Sequence, residues 1–181
     1  MAGVTLIELL TVITIVAILM TIGVPSYRYV TNSNRASAEV NALLGDMQYA
    51  RSEAVKEGQW VTVCPSSNQT SCDVNSTTWQ SGWIVFSDAN GNAQVDSPPD
   101  AILRKQAAFA SQDSFLADNS LSAVTFNREG FTYNFPVTAT GYATITLHTQ
   151  PTFSQWTRCL QVFLTGMMAA ETTSDPQGNC T

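Results

Sequence analysis

Glu8 is the one ionisable residue between Val4 and Val24, a carboxylate set in a run of leucine, isoleucine, valine and threonine. In an apolar helix such a carboxylate costs about 2.5–3.5 kcal/mol on insertion scales, so it demands a positive partner or escape to a polar boundary. The second reactive set is sulfur. Cys64 and Cys72 form a near pair, Cys159 and Cys180 a far one, and four thiols allow three pairings. The local pairing, Cys64 with Cys72 and Cys159 with Cys180, is expected because each bond closes a loop at modest entropy cost. Reduced, buried thiols are the rival reading. Zinc needs a different pattern, since there is no C-x-x-C unit and His148 is the only histidine. The third set is oxygen: Asp88, Asn90, Asn92 and Asp96 are spaced so that they could wrap a calcium ion. The glycine is out of place for an EF-hand loop and no glutamate follows at the twelfth position, so a tight Asn90-Gly91 turn is preferred. No cofactor is expected beyond that calcium candidate. Catalysis is not expected either, because G-x-S-x-G, H-E-x-x-H and phosphate loops are all lacking.

The elements that must position these groups change character along the chain. From Val4 to Val24 lie 21 residues, about 31 Å of helix, which is enough to cross a hydrocarbon layer of about 30 Å. A cleaved secretory signal would need a basic start, a shorter apolar run and a small-residue cleavage site, so the segment is expected to stay in the mature chain. A plain lipid anchor is the competing explanation of the hydropathy alone. Past Val24 the pattern becomes one-sided: Ala36, Val40, Leu43, Met47, Ala50 and Ala54 recur at steps of three and four, and Gly58 supplies a stop. Gly23 and Pro25 interrupt the run and predict a kink or a meltable stretch, a helix break, there.

Beyond Gly58 the period shortens to strand-like runs at 60–64, 82–87, 101–104, 123–127, 142–147 and 158–164, separated by Ser, Asn, Asp, Gly and Pro. One long helix followed by strands predicts an α+β chain. The expected organisation is a transmembrane helix at 4–27, an amphipathic helix packed on the head at 28–58, and a β-rich head at 59–181. Trp79, Trp83, Phe86, Phe126, Phe131, Tyr133, Phe135 and Trp156 could form a glycan or nucleic-acid platform, but their placement on strand-like runs favours core packing. Residues 59–181 carry four basic against nine acidic side chains, a net of −5 that repels phosphates.

The segment Gly3-Val4-Thr5-Leu6-Ile7-Glu8-Leu9-Leu10 resembles the prepilin signature of type IV pilins and type II secretion pseudopilins. In that family a membrane peptidase cuts after the glycine and methylates the new amine. The resemblance implies a residual leader at 1–3, cleavage after Gly3, Val4 as the methylated N-terminus, a helix at 4–27 that becomes filament core, and Glu8 as the fifth mature residue, able to pair with the Val4 amine of a neighbouring subunit. Only Met1 and Ala2 precede Gly3, a shorter leader than the family usually carries. Residues 46–58 (DMQYARSEAVKEG), 61–65 (VTVCP) and 82–92 (GWIVFSDANGN) are similar to the FimT/FimU and GspH branch of minor pilins and pseudopilins. That branch implies a pilin fold, a long N-terminal α-helix packed on an antiparallel β-sheet head, with two sheets against the helix. It also implies a non-enzymatic subunit of the bacterial inner membrane, single-pass with the head in the periplasm, that later moves to a pilus tip or a pseudopilus. Its partners would be other minor pilins and the major pilin, or pseudopilins, with the prepilin peptidase acting first. Priming or capping of a type IV pilus is the leading role, a GspH-like secretion pseudopilin the alternative, and a FimT-like DNA-uptake pilin the third. DNA is not an expected partner: the uptake members carry a GRxR motif, and Gly166-Met167-Met168-Ala169 stands in its place without either arginine. The Cys159 and Cys180 pair resembles the C-terminal bridge of FimU-type minor pilins.

Overall fold

A computed structural model describes residues 3, 5–96, 98–118, 120–136, 141–172 and 180. The first element is a helix, α1, at Leu6–Glu57. It is helical through Gly23 and Pro25. Proline removes its own N–H, and with it the bond to the Thr21 carbonyl, but its fixed φ is itself helical and the flanking turns keep their bonds. The chain divides into two compact units, Met1–Arg35 and Ala36–Thr181. In the first, α1 is apolar and exposed. In the second, the stripe Ala36, Val40, Leu43, Met47, Ala50 and Ala54 is buried, as its spacing requires.

The rest of the second unit is antiparallel. Strands β1 (Val61–Pro65), β2 (Gly82–Ser87), β3 (Ile102–Ala107), β5 (Val124–Phe126) and β6 (Thr132–Tyr133) form one sheet in the order β3-β2-β1-β5-β6. Strands β4 (Ser114–Ala117), β7 (Tyr142–His148), β8 (Arg158–Phe163) and β9 (Met168–Thr172) form a second in the order β4-β7-β8-β9. Alternation sorts the side chains. Val61, Val63, Trp83, Val85, Val124 and Phe126 from the first sheet join Ile145, Leu147, Leu160 and Val162 from the second and the α1 stripe in one core.

The five-stranded sheet is also covered on its other face, where Cys64, Ile84 and Phe86 pack with Cys72, Val95, Ile102 and Ala123 in a smaller cluster. This explains why β1 and β2 are buried at every position, unlike a sheet with one wet face. Of the eight aromatics, Trp79, Trp83, Phe86, Phe126, Phe135 and Trp156 are buried, whereas Phe131 and Tyr133 remain 50% and 45% exposed.

Candidate functional site

The first unit presents Glu8 in the opening turns of α1, with every neighbour from Leu6 to Met20 exposed. Its N–H is capped by Thr5 Oγ1 at 3.3 Å, and Thr11 Oγ1 returns a bond to its carbonyl at 2.9 Å. Threonines at 11, 14 and 21 donate to carbonyls three or four residues back, so the hydroxyls leave no unmet polarity on the apolar surface. The Glu8 carboxylate has no cationic partner among the described residues. Val4, the expected methylated terminus, lies outside the described residues, as do Met1 and Ala2; Gly3 precedes the helix. Within the described residues α1 is the one helix long and apolar enough to cross a membrane.

On the head, Asp88 is wholly buried and acts as a hub. Its Oδ1 accepts the N–H groups of Gly91 at 2.8 Å and Asn92 at 3.1 Å, and its Oδ2 accepts the Ala93 N–H at 2.9 Å and the Thr62 hydroxyl at 2.8 Å. Thr62 in turn shares a 2.7 Å hydroxyl bond with Thr125, so a polar chain runs across β1 to β5 beneath the loop. Asp96 Oδ2 accepts both amide groups, from Asn90 at 2.9 Å and Asn92 at 2.8 Å. The four candidate calcium residues are therefore neighbours: Asp88 takes four protein donors, and Asp96 Oδ2 holds the side-chain amides of both asparagines. Trp60 closes the loop from beside it. Its ring stacks on Tyr133 with centroids 5.1 Å apart, and a Cβ at Gly91 would come within 2.8 Å of it, so only glycine fits there at φ +71°.

Two sulfur bridges brace the head. Cys64 bonds Cys72, tying the end of β1 to the loop over the outer face, and Cys159 in β8 bonds Cys180. His148 ends β7 with Nδ1 3.4 Å from the Thr157 hydroxyl.

Polar knots that sequence reading did not single out fasten α1 to both sheets. Asp46 accepts Trp83 Nε1 at 2.9 Å and Arg104 Nη1 at 3.0 Å, while the Arg104 guanidinium lies 3.7 Å over the Tyr49 ring. Arg51 Nε donates to Gly130 O at 2.9 Å and its Nη2 to Thr165 O at 3.5 Å, joining the β5–β6 and β8–β9 turns to the helix. Ser111 donates to the buried Glu39 at 2.7 Å. The spacing of Asp46, Tyr49 and Arg51 gave no hint of these partners, which come from strands and turns 37 to 114 residues away.

A long N-terminal helix whose distal half lies on antiparallel sheets is the pilin fold, the class of pilin-type subunits. Two crystal structures of the type IV minor pilin FimU from Pseudomonas aeruginosa share it. One is 22% identical with a TM-score of 0.56, covering 78% of this chain and 90% of that one. The other is 21% identical with a TM-score of 0.55, covering 78% and 94%. The model of the family described as type II transport protein GspH matches residues 39–166, well over half of the chain, and the chain belongs to that family. No curated protein sequence matches it.

Proposed function

We infer that this subunit is a minor pilin that primes or caps a type IV pilus. The observation that carries the reading is the lone Glu8 carboxylate on the exposed apolar half of α1, a charge that becomes tolerable when another subunit supplies a cation. Residues 4–27 hold the chain in the inner membrane after the prepilin peptidase has cut at Gly3 and methylated Val4. The helix then leaves the bilayer for the filament core, with Glu8 against the Val4 amine of a neighbour. The segment 28–58 carries the head, and the head, periplasmic before assembly, meets other minor pilins and the major pilin. The likeness to FimU and the Cys159–Cys180 bridge support the pilus over other machines.

A secretion pseudopilin is the second reading, favoured by the description of the matched family. A clean deletion separates the two. Loss or sharp reduction of surface pili, restored by the gene in trans, is expected for a priming subunit; normal pilus numbers with blocked protein secretion would instead select the pseudopilin. DNA uptake is the third reading, and the net charge of −5 on residues 59–181 opposes it. A gel shift of duplex DNA by the chain at moderate salt would revive it.

A further inference from the structure

Two open sheets leave four edges, and three of them are closed or guarded. The outer side of β4 is met by the preceding chain, where Trp79 N–H donates to Phe115 O at 2.7 Å and Ala117 N–H to Thr77 O at 2.8 Å. The edge at β6 meets the β8–β9 turn, with Thr132 N–H donating to Leu164 O at 3.2 Å. Strand β3 carries Arg104 and Lys105, charges that deter addition of another strand. At Met168 and Ala170 strand β9 has neither device among the described residues. Its sequence, Met-Ala-Ala-Glu-Thr, has no charge before Glu171, and among the described residues nothing bonds the outer side of Met168 or Ala170. The phase of that edge follows from the turn. Phe163 N–H donates to Met167 O at 2.9 Å, so Met167 faces β8, and alternation turns the N–H and C=O of Met168 and Ala170 outward.

Beside this edge lies an open groove of about 640 Å³ between α1 and the start of β9, lined by Gln48, Arg51, Ser52, Val55, Met167 and Met168. Val55 and Met167 are 53% and 63% exposed, an apolar wall without a cover. An unpaired strand edge alongside a helix is the arrangement that binds extended peptides by strand addition, main-chain bonds giving affinity and alternate side chains specificity.

We propose that this groove takes an extended segment of a sister subunit, added as a strand to β9. This rests on the filament-subunit reading above. The occupant is defined by three complements. Its main chain answers the outward groups of Met168 and Ala170, two residues apart. Its inward side chains are apolar, against Val55 and Met167. It carries no inward lysine or arginine, because Arg51 is the one charged lining residue and is already committed to Gly130 O and Thr165 O.

The test compares recovery of the full chain in the sheared-filament fraction with its level in the membrane fraction. Ala170→Pro removes an outward N–H and spares the inward ladder, and is expected to lower filament recovery at least tenfold at equal membrane level and unchanged thermal midpoint. Val55→Arg, at an exposed helix position, is expected to lower it at least fivefold, whereas Val74→Arg, on an exposed valine outside the groove, leaves it unchanged. Should Ala170→Pro unsettle the fold, Val55→Arg decides. Unchanged recovery of both folded variants overturns the groove, and an effect of Val55→Arg without one of a folded Ala170→Pro shows packing instead of strand addition and overturns it too. Absence of the unaltered chain from filaments overturns the subunit reading, and the groove with it.

Discussion

At the scale of single residues, Glu8 separates two energies that normally move together. Replacing it by alanine removes a cost of about 2.5–3.5 kcal/mol from membrane insertion. The Glu8→Ala chain should therefore reach the membrane at least as well as the parent and yet enter filaments at least tenfold less, read by fractionation. Equal incorporation would leave the carboxylate without a role. Asp88 acts locally instead. Its two oxygens answer three backbone N–H groups and one hydroxyl in a site closed to water. Asp88→Ala strands those donors and is expected to cost about 3 kcal/mol or more in urea unfolding, with the loop 88–96 loosened first. Glycines at two turns differ in kind. A Cβ at Gly166 would overlap the Gly130 carbonyl oxygen, a backbone atom with nowhere to go, whereas one at Gly130 meets the movable ends of Arg51 at 3.1 Å and Val55 at 3.3 Å. Both have positive φ, so both substitutions cost about 1 kcal/mol in conformation, but Gly166→Ala should be clearly the worse by thermal melting.

At the scale of elements, the disulfides set how firmly the loops are held. The Cys159–Cys180 bond closes 21 residues and the Cys64–Cys72 bond 8, so loss of the first should cost about 3 kcal/mol and of the second somewhat less. Paired serine variants measured by urea unfolding test the order; a larger loss from Cys64 and Cys72 would mean that the bond supports the Val95 and Ile102 cluster more than it restricts the unfolded chain. Legibility followed the same division between local and remote causes. The α1 stripe could be read because steps of three and four repeat whatever the partner, and β2 and β7 could be read because their valines, isoleucines and threonines favour pleated backbone. Strands β4, β6 and β9 escaped notice. β6 is two residues long, and β9 is built of methionine, alanine and glutamate, good helix formers that become a strand only through their ladder with β8. The candidate calcium loop showed its residues in sequence but not their hydrogen bonds, which decide whether an oxygen is free to bind. A bare strand edge leaves no side-chain signature, so the groove beside β9 was invisible before the fold was known.

At the scale of the whole molecule, the two compact units divide the labour so cleanly that they should be separable. Every residue of both cores lies between Ala36 and Cys159 or in the residues just beyond it, and none comes from the stretch before Ala36. The earlier half of α1 instead exposes its large apolar side chains from Leu6 to Val30 by 42% to 81%, a surface that water tolerates only when lipid, detergent or other helices cover it. A chain beginning at residue 36 should then keep every residue of both cores. It is expected to be soluble and monomeric without detergent, to form both disulfides, and to melt within a few degrees of the full chain in detergent, since both cores are retained whole. The full chain without detergent should aggregate. An unfolded or aggregated 36–181 fragment would show that the apolar half of the helix stabilises the head as well as anchoring it, and the head would then have to fold while still attached to the membrane.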